Sequence, residues 1–530
     1  MTSSPDPVMK ILIILFSILS LATAAERPNF IFILADDMGP GDISSLNPDG
    51  KIPTPHLDRL AREGMTFTDA HSGSSVCTPT RYGILTGRYA WRSKLKQGVL
   101  GGLSPRLIED NRLTVASFLK KNGYHTACIG KWHLGLDWKI RDGKQINPLG
   151  IENQQQAWNV DFTQPFTNGP LSLGFDRFHG ISASLDMIPY TYLDQDRVSV
   201  VPDHDADFPW FHGRDKRTRR GPTAKGFDAA NVLDDLASRS AAYLTERAEE
   251  SRAGKPFFLY LPLASPHTPI VPTKPWLGKS GINAYADFVM QTDAAVGTIL
   301  KTLDDLDLTE NTLVVFTADN GCSPEADLPE LQKAGHHPSG PYRGHKADLF
   351  EGGHRVPFIA RWPAKVAASS KYTHPICLTD WFSTCAGIID AGVPEDAAED
   401  SFDILPALLG KAEPVRQSVI HHSINGSFAI REGNWKLLLC PDSGGWSTPR
   451  PGRDNIKGLP PVQLYDLEKD PGEKRNLHAA HPDIVKNMIA SLQRDVGRGR
   501  STPGKNQSNN GKVDIWKGRK PYQPAPPAGP

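Results

Sequence analysis

The sequence predicts an α/β protein with a large mixed, mostly parallel sheet covered by helices on both faces, followed by a smaller C-terminal α+β domain. Two observations lead to this prediction. Four apolar runs of strand length alternate with helical patterns, and each run leads into a polar cluster. Beyond residue 403 the pattern changes to short strand-like segments followed by one helix.

The first strand is predicted at residues 29–34, where every position after Asn29 is apolar. A run that is apolar on both faces is typical of a central parallel strand. Three further segments repeat this arrangement, at residues 124–129, 257–261 and 312–317. Helical patterns lie between these strands at residues 113–121, 231–249 and 285–306. Ligands of such sheets bind beyond the carboxyl ends of the strands, so the polar clusters found there are candidates for one site.

The N-terminus reads as a secretory signal over residues 1–25. An apolar run at 11–22 follows Lys10 and ends in small residues, with cleavage expected near Ala24 or Ala25. The run is short for a membrane span, so stable membrane insertion is not expected, although an uncleaved signal anchor is the alternative. The mature chain is therefore predicted to be exported, either to a periplasm or to the medium.

Three segments are predicted for the mature chain. The large domain covers residues 26–410, and an antiparallel-sheet subdomain covers residues 411–500. Strand-like pieces in that subdomain lie at residues 417–421, 428–431, 435–439 and 462–467, before a helix at 484–496. Residues 501–530 are rich in Gly, Pro, Asn and Lys, so this tail is expected to be disordered or draped over the surface.

Composition excludes several classes of partner. Basic and acidic residues number 59 each, so the formal net charge is zero and no global field favours nucleic acid or an anionic membrane. Any anion specificity must be local. The six cysteines lack the C-x-x-C pairs of a zinc site and leave room for one or two disulfides.

Two polar doublets follow the first and fourth predicted strands: Asp36 with Asp37, and Asp319 with Asn320. If these strands are neighbours, three carboxylates converge and repel one another unless a cation lies between them. Oxygen-only donors favour Ca²⁺, or less strongly Mg²⁺, over zinc. A single Asp in such a loop is more often a helix cap or an Asx turn, but that reading is weak for both doublets together.

Cys77 lies just before Pro79, a residue that favours the first turn of a helix. A helix start offers free backbone N–H groups and a positive dipole end, which suit an anion at residue 77. Arg81, one turn into the helix, is placed to hold an oxyanion there. An unmodified cysteine could use the same setting as a thiolate nucleophile, so a thiol-dependent enzyme is an alternative.

Four more candidates follow the other predicted strand ends: Lys131, His133, His267 and Lys346. Individually, each is more often a solvated lysine or a structural histidine. Together they stand beside glycines and prolines, where a ligand can approach the backbone. The set predicts an anion pocket with two titratable groups.

The segment CTPTR at residues 77–81, with LTGR at 85–88, resembles the C-x-P-[ST]-R signature of type I, formylglycine-dependent sulfatases. Other segments similar to this family's signatures occur in order at residues 27–37, 130–133, 266–269, 319–321, 343–357 and 464–471. The resemblance implies an arylsulfatase-like enzyme with the fold of the alkaline phosphatase superfamily. It also implies that residues 26–410 form the catalytic domain.

The same resemblance implies that Cys77 is converted to formylglycine by a formylglycine-generating or anaerobic sulfatase-maturing enzyme. It implies one Ca²⁺ held by Asp36, Asp37, residue 77, Asp319 and Asn320. In the implied mechanism a hydroxyl of hydrated formylglycine, held by Arg81, attacks sulfur. Lys131 and Lys346 neutralise the sulfuryl oxygens, His267 protonates the leaving oxygen, and His133 removes the proton that releases sulfate.

The predicted substrate is a sulfated carbohydrate, cleaved at a terminal sugar, or an aryl sulfate. One alternative is a phosphonate or phosphodiester hydrolase on the same scaffold, although the second His/Asp cluster that often binds a second metal was not visible in the sequence. Another is a non-catalytic polysaccharide-binding protein that uses the basic run at residues 214–220. An irregular insertion at residues 182–226 could form a wall of the pocket.

Overall fold

The computed structural model describes residues 27–143, 150–151 and 154–523. The predicted signal at residues 1–25 lies outside the described residues. Eighteen strands occur in the described part of the chain: β1 (Asn29–Ala35), β2 (Met65–Phe67), β3 (Ala70–His71), β4 (His125–Lys131), β5 (Arg177–Ile181), β6 (Leu193–Asp194), β7 (Arg197–Val198), β8 (Pro202–Ala206), β9 (Gly221–Ala224), β10 (Phe257–Pro262), β11 (Thr312–Ala318), β12 (Phe358–Arg361), β13 (Ser370–Tyr372), β14 (Ile376–Cys377), β15 (Ser418–His422), β16 (Phe428–Glu432), β17 (Trp435–Leu438) and β18 (Gln463–Asp466).

Ten α-helices occur in the same residues: α1 (Pro55–Glu63), α2 (Cys77–Thr86), α3 (Val115–Lys121), α4 (Val232–Arg252), α5 (Ala284–Asp305), α6 (Leu328–Lys333), α7 (Glu351–His354), α8 (Trp381–Ile388), α9 (Leu405–Leu408) and α10 (Pro482–Gly497). The predicted helices at 113–121, 231–249 and 285–306 correspond to α3, α4 and α5. No helix among the described residues is long and apolar enough to cross a membrane.

The large sheet has ten strands in the order β13-β2-β12-β11-β1-β10-β4-β5-β6-β7. The four strands predicted from the sequence, β1, β4, β10 and β11, are parallel neighbours at its centre. The antiparallel pairings lie toward the edges, where β12 pairs with β11 and β2, and β6 pairs with β5 and β7. The predicted mixed, mostly parallel sheet is confirmed.

Helices cover both faces of this sheet, as its two-sided apolar strands require. The alternation of side chains along β10 shows this directly. Phe257 meets Tyr243 of α4 edge to face, with ring centroids 5.9 Å apart. Its neighbour Phe258 points to the opposite face and meets Trp381 of α8 at 6.3 Å. Both faces are therefore covered, which leaves the carboxyl ends of the central strands as the place where a ligand can bind.

The C-terminal part contains a four-stranded antiparallel sheet in the order β15-β16-β17-β18, with α10 packed against β16. These elements lie close to the predicted strand pieces and helix. The domain boundaries at residues 410 and 500 stay a prediction. Within the tail, residues 501–523 lie along the protein, and Ile515 and Trp516 are buried in the apolar cluster beside the small sheet.

Candidate active site

The carboxyl ends of the four central strands bring the predicted residues together. Because β1 lies between β10 and β11, the loop that follows it has a neighbour on each side. The backbone N–H of Asp36 donates to the carbonyl of Ser265 at 2.9 Å, and that of Asp319 donates to the carbonyl of Ala35 at 3.0 Å. The doublets predicted from the sequence are therefore adjacent in space.

Cys77 is the first residue of α2, as the position of Pro79 predicted. Every residue of this helix is buried, and Cys77 is only 2% exposed. Burial raises the pKa of the Cys77 thiol to about 11. A thiol at this position is protonated at neutral pH, which disfavours the thiolate-nucleophile alternative.

Arg81 lies one turn into α2, with its guanidinium held between three groups. Its Nη2 contacts Asp36 Oδ2 at 3.0 Å and Asp319 Oδ2 at 2.8 Å. Its Nη1 donates to the carbonyl of Lys131 at 2.9 Å. These contacts hold Arg81 against the acidic doublets; its role in holding an oxyanion on residue 77 stays a prediction.

Two lysines bind the carboxylates from opposite sides. Lys131, at the end of β4, forms an ion pair with Asp36. Lys346 Nζ lies 2.6 Å from Asp37 Oδ1, and Asn320 Nδ2 donates to the same oxygen at 2.7 Å. The three carboxylates therefore face three basic side chains, which relieves much of the repulsion expected from the sequence.

The two predicted histidines occupy different environments. His267 Nδ1 lies 2.6 Å from the carbonyl of Thr268, so its Nε2 faces Asp37 Oδ2 at 3.6 Å. His133 is fully buried, with Nε2 2.7 Å from the carbonyl of Leu100. Its Nδ1 is buried and has no hydrogen-bond partner in the described part of the chain, so it is available to accept a proton.

Burial, with a smaller effect of Lys131, holds the pKa of His133 well below its usual value. Burial and the adjacent Lys346 likewise lower the pKa of His267. Both shifts favour the neutral ring, which is the form that a proton acceptor needs. For His267 to act as an acid, its ring must be protonated. Because its pKa is lowered, the protonated ring becomes more populated as the pH falls.

The acidic pair Asp36 and Asp319 titrates unevenly. Burial acts to raise the pKa of Asp36, but Lys131, His267 and Arg81 together hold it well below its ordinary value. Burial and the charge of Asp36 raise the pKa of Asp319 to about 7. Both carboxylates contact Arg81, and the negative charge of Asp36 makes ionisation of Asp319 less favourable.

The donor set fits a hard divalent cation. Oδ1 of Asp36 and Oδ1 of Asn320 are buried and have no hydrogen-bond partner among the described residues. Unsatisfied buried acceptors are costly, and a bound cation would satisfy both. Asp36, Asp37 and His267 also form one of the groups whose ligand atoms lie within 4.8 Å of each other. The sequence analysis expected no histidine donor near these oxygens, and the structure places one there.

The basic run at residues 214–220 is not an open cationic patch. All five of its basic side chains form ion pairs with nearby carboxylates: Arg214 with Asp327 and Glu330, Lys216 with Glu325, Arg217 and Arg220 with Asp207, and Arg219 with Asp186. Because its charge is locally compensated, this run offers little to a long polyanion. The polysaccharide-binding alternative loses its main support.

Sequence reasoning missed two features of the site. The carbonyl of Leu100 orients His133, and no sequence signal identifies a backbone acceptor so distant along the chain. Asp37 and His133 adopt positive φ angles of 66° and 55°. Such conformations are uncommon for residues other than glycine and occur often at functional sites.

Comparison with known proteins gives a consistent result. The family model described as Sulfatase matches residues 28–391. N-acetylgalactosamine-6-O-sulfatase of Bacteroides thetaiotaomicron is 34% identical over 508 residues, covering 88% of this chain and 93% of that protein. Human arylsulfatase A is 33% identical over 491 residues, covering 88% and 87%.

Solved structures show the same similarity. A structure from work on glycosaminoglycan metabolism by Bacteroides thetaiotaomicron has a TM-score of 0.74 and 32% identity, covering 89% of this chain and 99% of its own. Phosphonate monoester hydrolase of Agrobacterium radiobacter has a TM-score of 0.54 and 18% identity, covering 88% and 95%. The second similarity concerns the fold alone.

Proposed function

The chain belongs to the sulfatase family, and from this premise we propose that it removes sulfate from a terminal sugar of a sulfated carbohydrate. The family and its sulfatase relatives imply hydrolysis of sulfate esters, so the chain is a sulfuric ester hydrolase. A relative at 34% identity is named for a sulfated amino sugar, which supports a sugar substrate.

The observation that carries the proposal is the meeting of basic and acidic groups at one end of the sheet. Arg81 and Lys131 contact Asp36, and Lys346 contacts Asp37. A tetrahedral sulfate ester needs cationic groups around its oxygens and a nucleophile in line with its leaving group.

Sulfatases generally use a formylglycine and a divalent metal. We infer that Cys77 is the residue converted, through a formylglycine-generating or anaerobic maturing enzyme, and that the metal is one Ca²⁺. Asp36, Asp37, residue 77, Asp319 and Asn320 would hold the cation. The modified residue would supply a hydroxyl nucleophile, and the cation would increase its acidity and bind the sulfate oxygens.

The chain's own residues have separate tasks in this scheme. Arg81 positions Asp36 and Asp319 through the contacts described above, which fixes the arrangement of the ligands. The ammonium groups of Lys131 and Lys346 neutralise charge that develops on the sulfuryl oxygens.

Proton transfers are assigned to the two histidines. The acid form of His267 is the doubly protonated ring: Nδ1 keeps its proton on the carbonyl of Thr268, and Nε2 gives its proton to the leaving alcohol oxygen. Nδ1 of His133, which has no partner, accepts the proton of the hydroxyl on residue 77 when sulfate is released. The carbonyl of Leu100 holds the other ring nitrogen and thereby fixes the tautomer.

Action at a chain end is supported by the deep burial of the site residues. Lys346 and His267 are 6% and 7% exposed, whereas Arg81, Lys131 and His133 are fully buried. A substrate must therefore reach the site past the first two residues. A terminal sugar enters such an opening more readily than an internal unit. We also propose that the mature chain is exported, on the basis of the N-terminal sequence.

A substrate panel tests the proposal. Matured enzyme is incubated with sulfated monosaccharides, aryl sulfates and matched phosphonate esters, with Cys77→Ala as the control. Sulfate release that depends on Cys77 is expected, and faster turnover of phosphonates would favour the alternative reading. A defined sulfated oligosaccharide is then digested over time. Loss confined to the terminal residue supports action at chain ends, and early loss from internal units contradicts it.

A further inference from the structure

A small cavity lies beside the candidate active site, next to the turn at residues 423–427. This lysine cavity has a volume of about 250 Å³ and is lined in part by Lys96, Lys512 and Lys517. Lys96 belongs to the loop that leads to Leu100, whose carbonyl contacts His133, and the other two lysines belong to the C-terminal tail. Positively charged side chains from two separate segments therefore meet at one cavity.

The positive charge of the lysine cavity is not cancelled by ion pairs. In the described part of the chain, none of its three lysines pairs with a carboxylate: Lys96 Nζ donates to the carbonyl of Trp91 at 2.8 Å, and Lys517 Nζ donates to the carbonyl of Asn425. Carbonyl oxygens are neutral acceptors, so these bonds position the two side chains without compensating their charge. The run at residues 214–220 differs in this respect, because each of its basic side chains has a carboxylate partner.

The other polar groups in the lining do not neutralise the lysines. Asp514 is the one acidic residue among the described residues that line the cavity, and its oxygens already accept from two backbone N–H groups at 2.9 and 2.7 Å. Burial, with the charges of Lys517 and Lys96, lowers the pKa of His422 to about 3, so this ring is neutral at pH 7. Trp91 also lines the cavity, and its Nε1–H is buried with no hydrogen-bond partner within the described residues. Three ammonium groups therefore face a single carboxylate, and this balance favours an anionic ligand.

Backbone hydrogen bonds place the lysine cavity close to Lys346. Ile424 donates its N–H to the carbonyl of Ala347 at 3.3 Å, and its own carbonyl accepts from the N–H of Gly98 at 2.7 Å. Ala347 follows Lys346 directly, and Gly98 follows a stretch that lines the cavity. Because backbones joined by such bonds lie about 5 Å apart, roughly 10 Å separates the Lys346 segment from the cavity. This separation is comparable to the length of a disaccharide.

We propose that the lysine cavity binds a second anionic group of the sulfated carbohydrate, a sulfate or a carboxylate on a sugar one or two units away from the terminal one. The assignment rests on the proposed function, because the catalytic residues must hold the terminal sulfate ester while the cavity holds the second group. Both kinds of oxyanion accept charge-assisted hydrogen bonds from ammonium groups, which a neutral sugar cannot do equally well. Because the cavity is small, it favours one charged inner position and not a long polyanion.

Matched trisaccharides test the proposal. All carry the terminal sulfated sugar that the wild type cleaves best in the substrate panel, and both inner sugars carry a hydroxymethyl group, its sulfate ester or a carboxylate. We expect kcat/KM for release of the terminal sulfate to be about tenfold higher with at least one of the charged trisaccharides than with the neutral one. The charged trisaccharide that is preferred identifies the anionic group. In the double variant Lys96→Gln with Lys512→Gln, this preference should fall below about twofold.

A control variant and a second measurement make the result decisive. The matched control is Lys505→Gln, which alters another lysine of the tail, one that pairs with Glu395 at 3.1 Å, and should keep the preference. If the double variant does not fold, Lys512→Gln alone changes an exposed side chain and should lower the preference at least threefold. In the wild type, the preference should also decline as salt is raised from about 20 mM to 500 mM, because salt screens exposed charges.

The outcomes separate this proposal from the proposed function. Equal kcat/KM for the three trisaccharides in an active enzyme would overturn this proposal alone. So would a folded double variant that keeps the full preference, or a preference that salt does not change. Absence of sulfate release from every member of the substrate panel would instead remove the proposed function, and this proposal with it.

Discussion

Gly130 offers a test of how strictly the sheet positions Lys131. This glycine has a φ of 145°, and a Cβ added to it would lie 2.0 Å from the carbonyl oxygen of Pro262 in β10. An ordinary van der Waals contact of a Cβ is 3.4–4 Å, so Gly130→Ala forces β4 away from β10 by more than about 1 Å. Because Lys131 is the next residue, its ammonium group moves with the strand and away from Asp36.

A misplacement of about 1 Å can cost roughly 100-fold in rate, equivalent to about 2.7 kcal/mol of transition-state stabilisation. We therefore expect kcat/KM of Gly130→Ala on an aryl sulfate to fall about 100-fold, measured well below the melting temperature found by circular dichroism. The matched control is Gly123→Ala, which also has a positive φ, 87°, but no atom within 4 Å of the new Cβ. The control should lose about 1 kcal/mol of stability and keep its activity. Equal kcat/KM for the two variants would refute the reasoning.

Three further predictions concern the acid, the cation and a buried ion network. His267→Ala should slow sugar sulfates by about 10²–10⁴ and aryl sulfates much less, because a phenolate leaves without protonation; equal losses in kcat/KM would contradict the acid role. Asp319→Ala should lose calcium and activity together; elemental analysis and kcat/KM measured on the same preparation check this, and full activity in calcium-free variant protein would contradict it. Lys436 lies 3.0 and 2.9 Å from the buried carboxylates of Glu351 and Glu473, and burial raises the pKa of Glu473 to about 7. Because the pKa of Glu473 in the folded state exceeds its unfolded value near 4.5, the free energy of unfolding should fall as pH rises from about 4.5 to 7. In urea titrations, Glu473→Gln should remove up to about 3 kcal/mol of this loss. A variant with the same pH dependence as the wild type would contradict this prediction.

The central sheet was predictable because the sequence of each central strand is itself a mostly apolar run. The run at 29–34 is apolar at nearly every position, which only a strand buried on both faces requires. The outer strands β2 and β13, three residues each, are too short to show a period. Their pairing is decided by long-range contacts that the local sequence does not contain.

The candidate site was predictable where residues follow central strands, since parallel strands end at one edge. Asp36 and Asp319 met as expected for that reason. The orientation of Arg81 was not predictable, because it depends on which acceptors fold around a buried guanidinium. The grouping of His71, His354 and His421 was not predictable either, because these residues lie on three elements whose proximity only the fold establishes.

The state of residue 77 tests the proposed mechanism most directly. Peptide mass spectrometry of fully active enzyme would identify the side chain in the tryptic peptide that contains Cys77, with activity measured on the same preparation. Conversion to formylglycine in proportion to activity is the predicted result. Full activity in protein that carries only the free thiol at this position would contradict it.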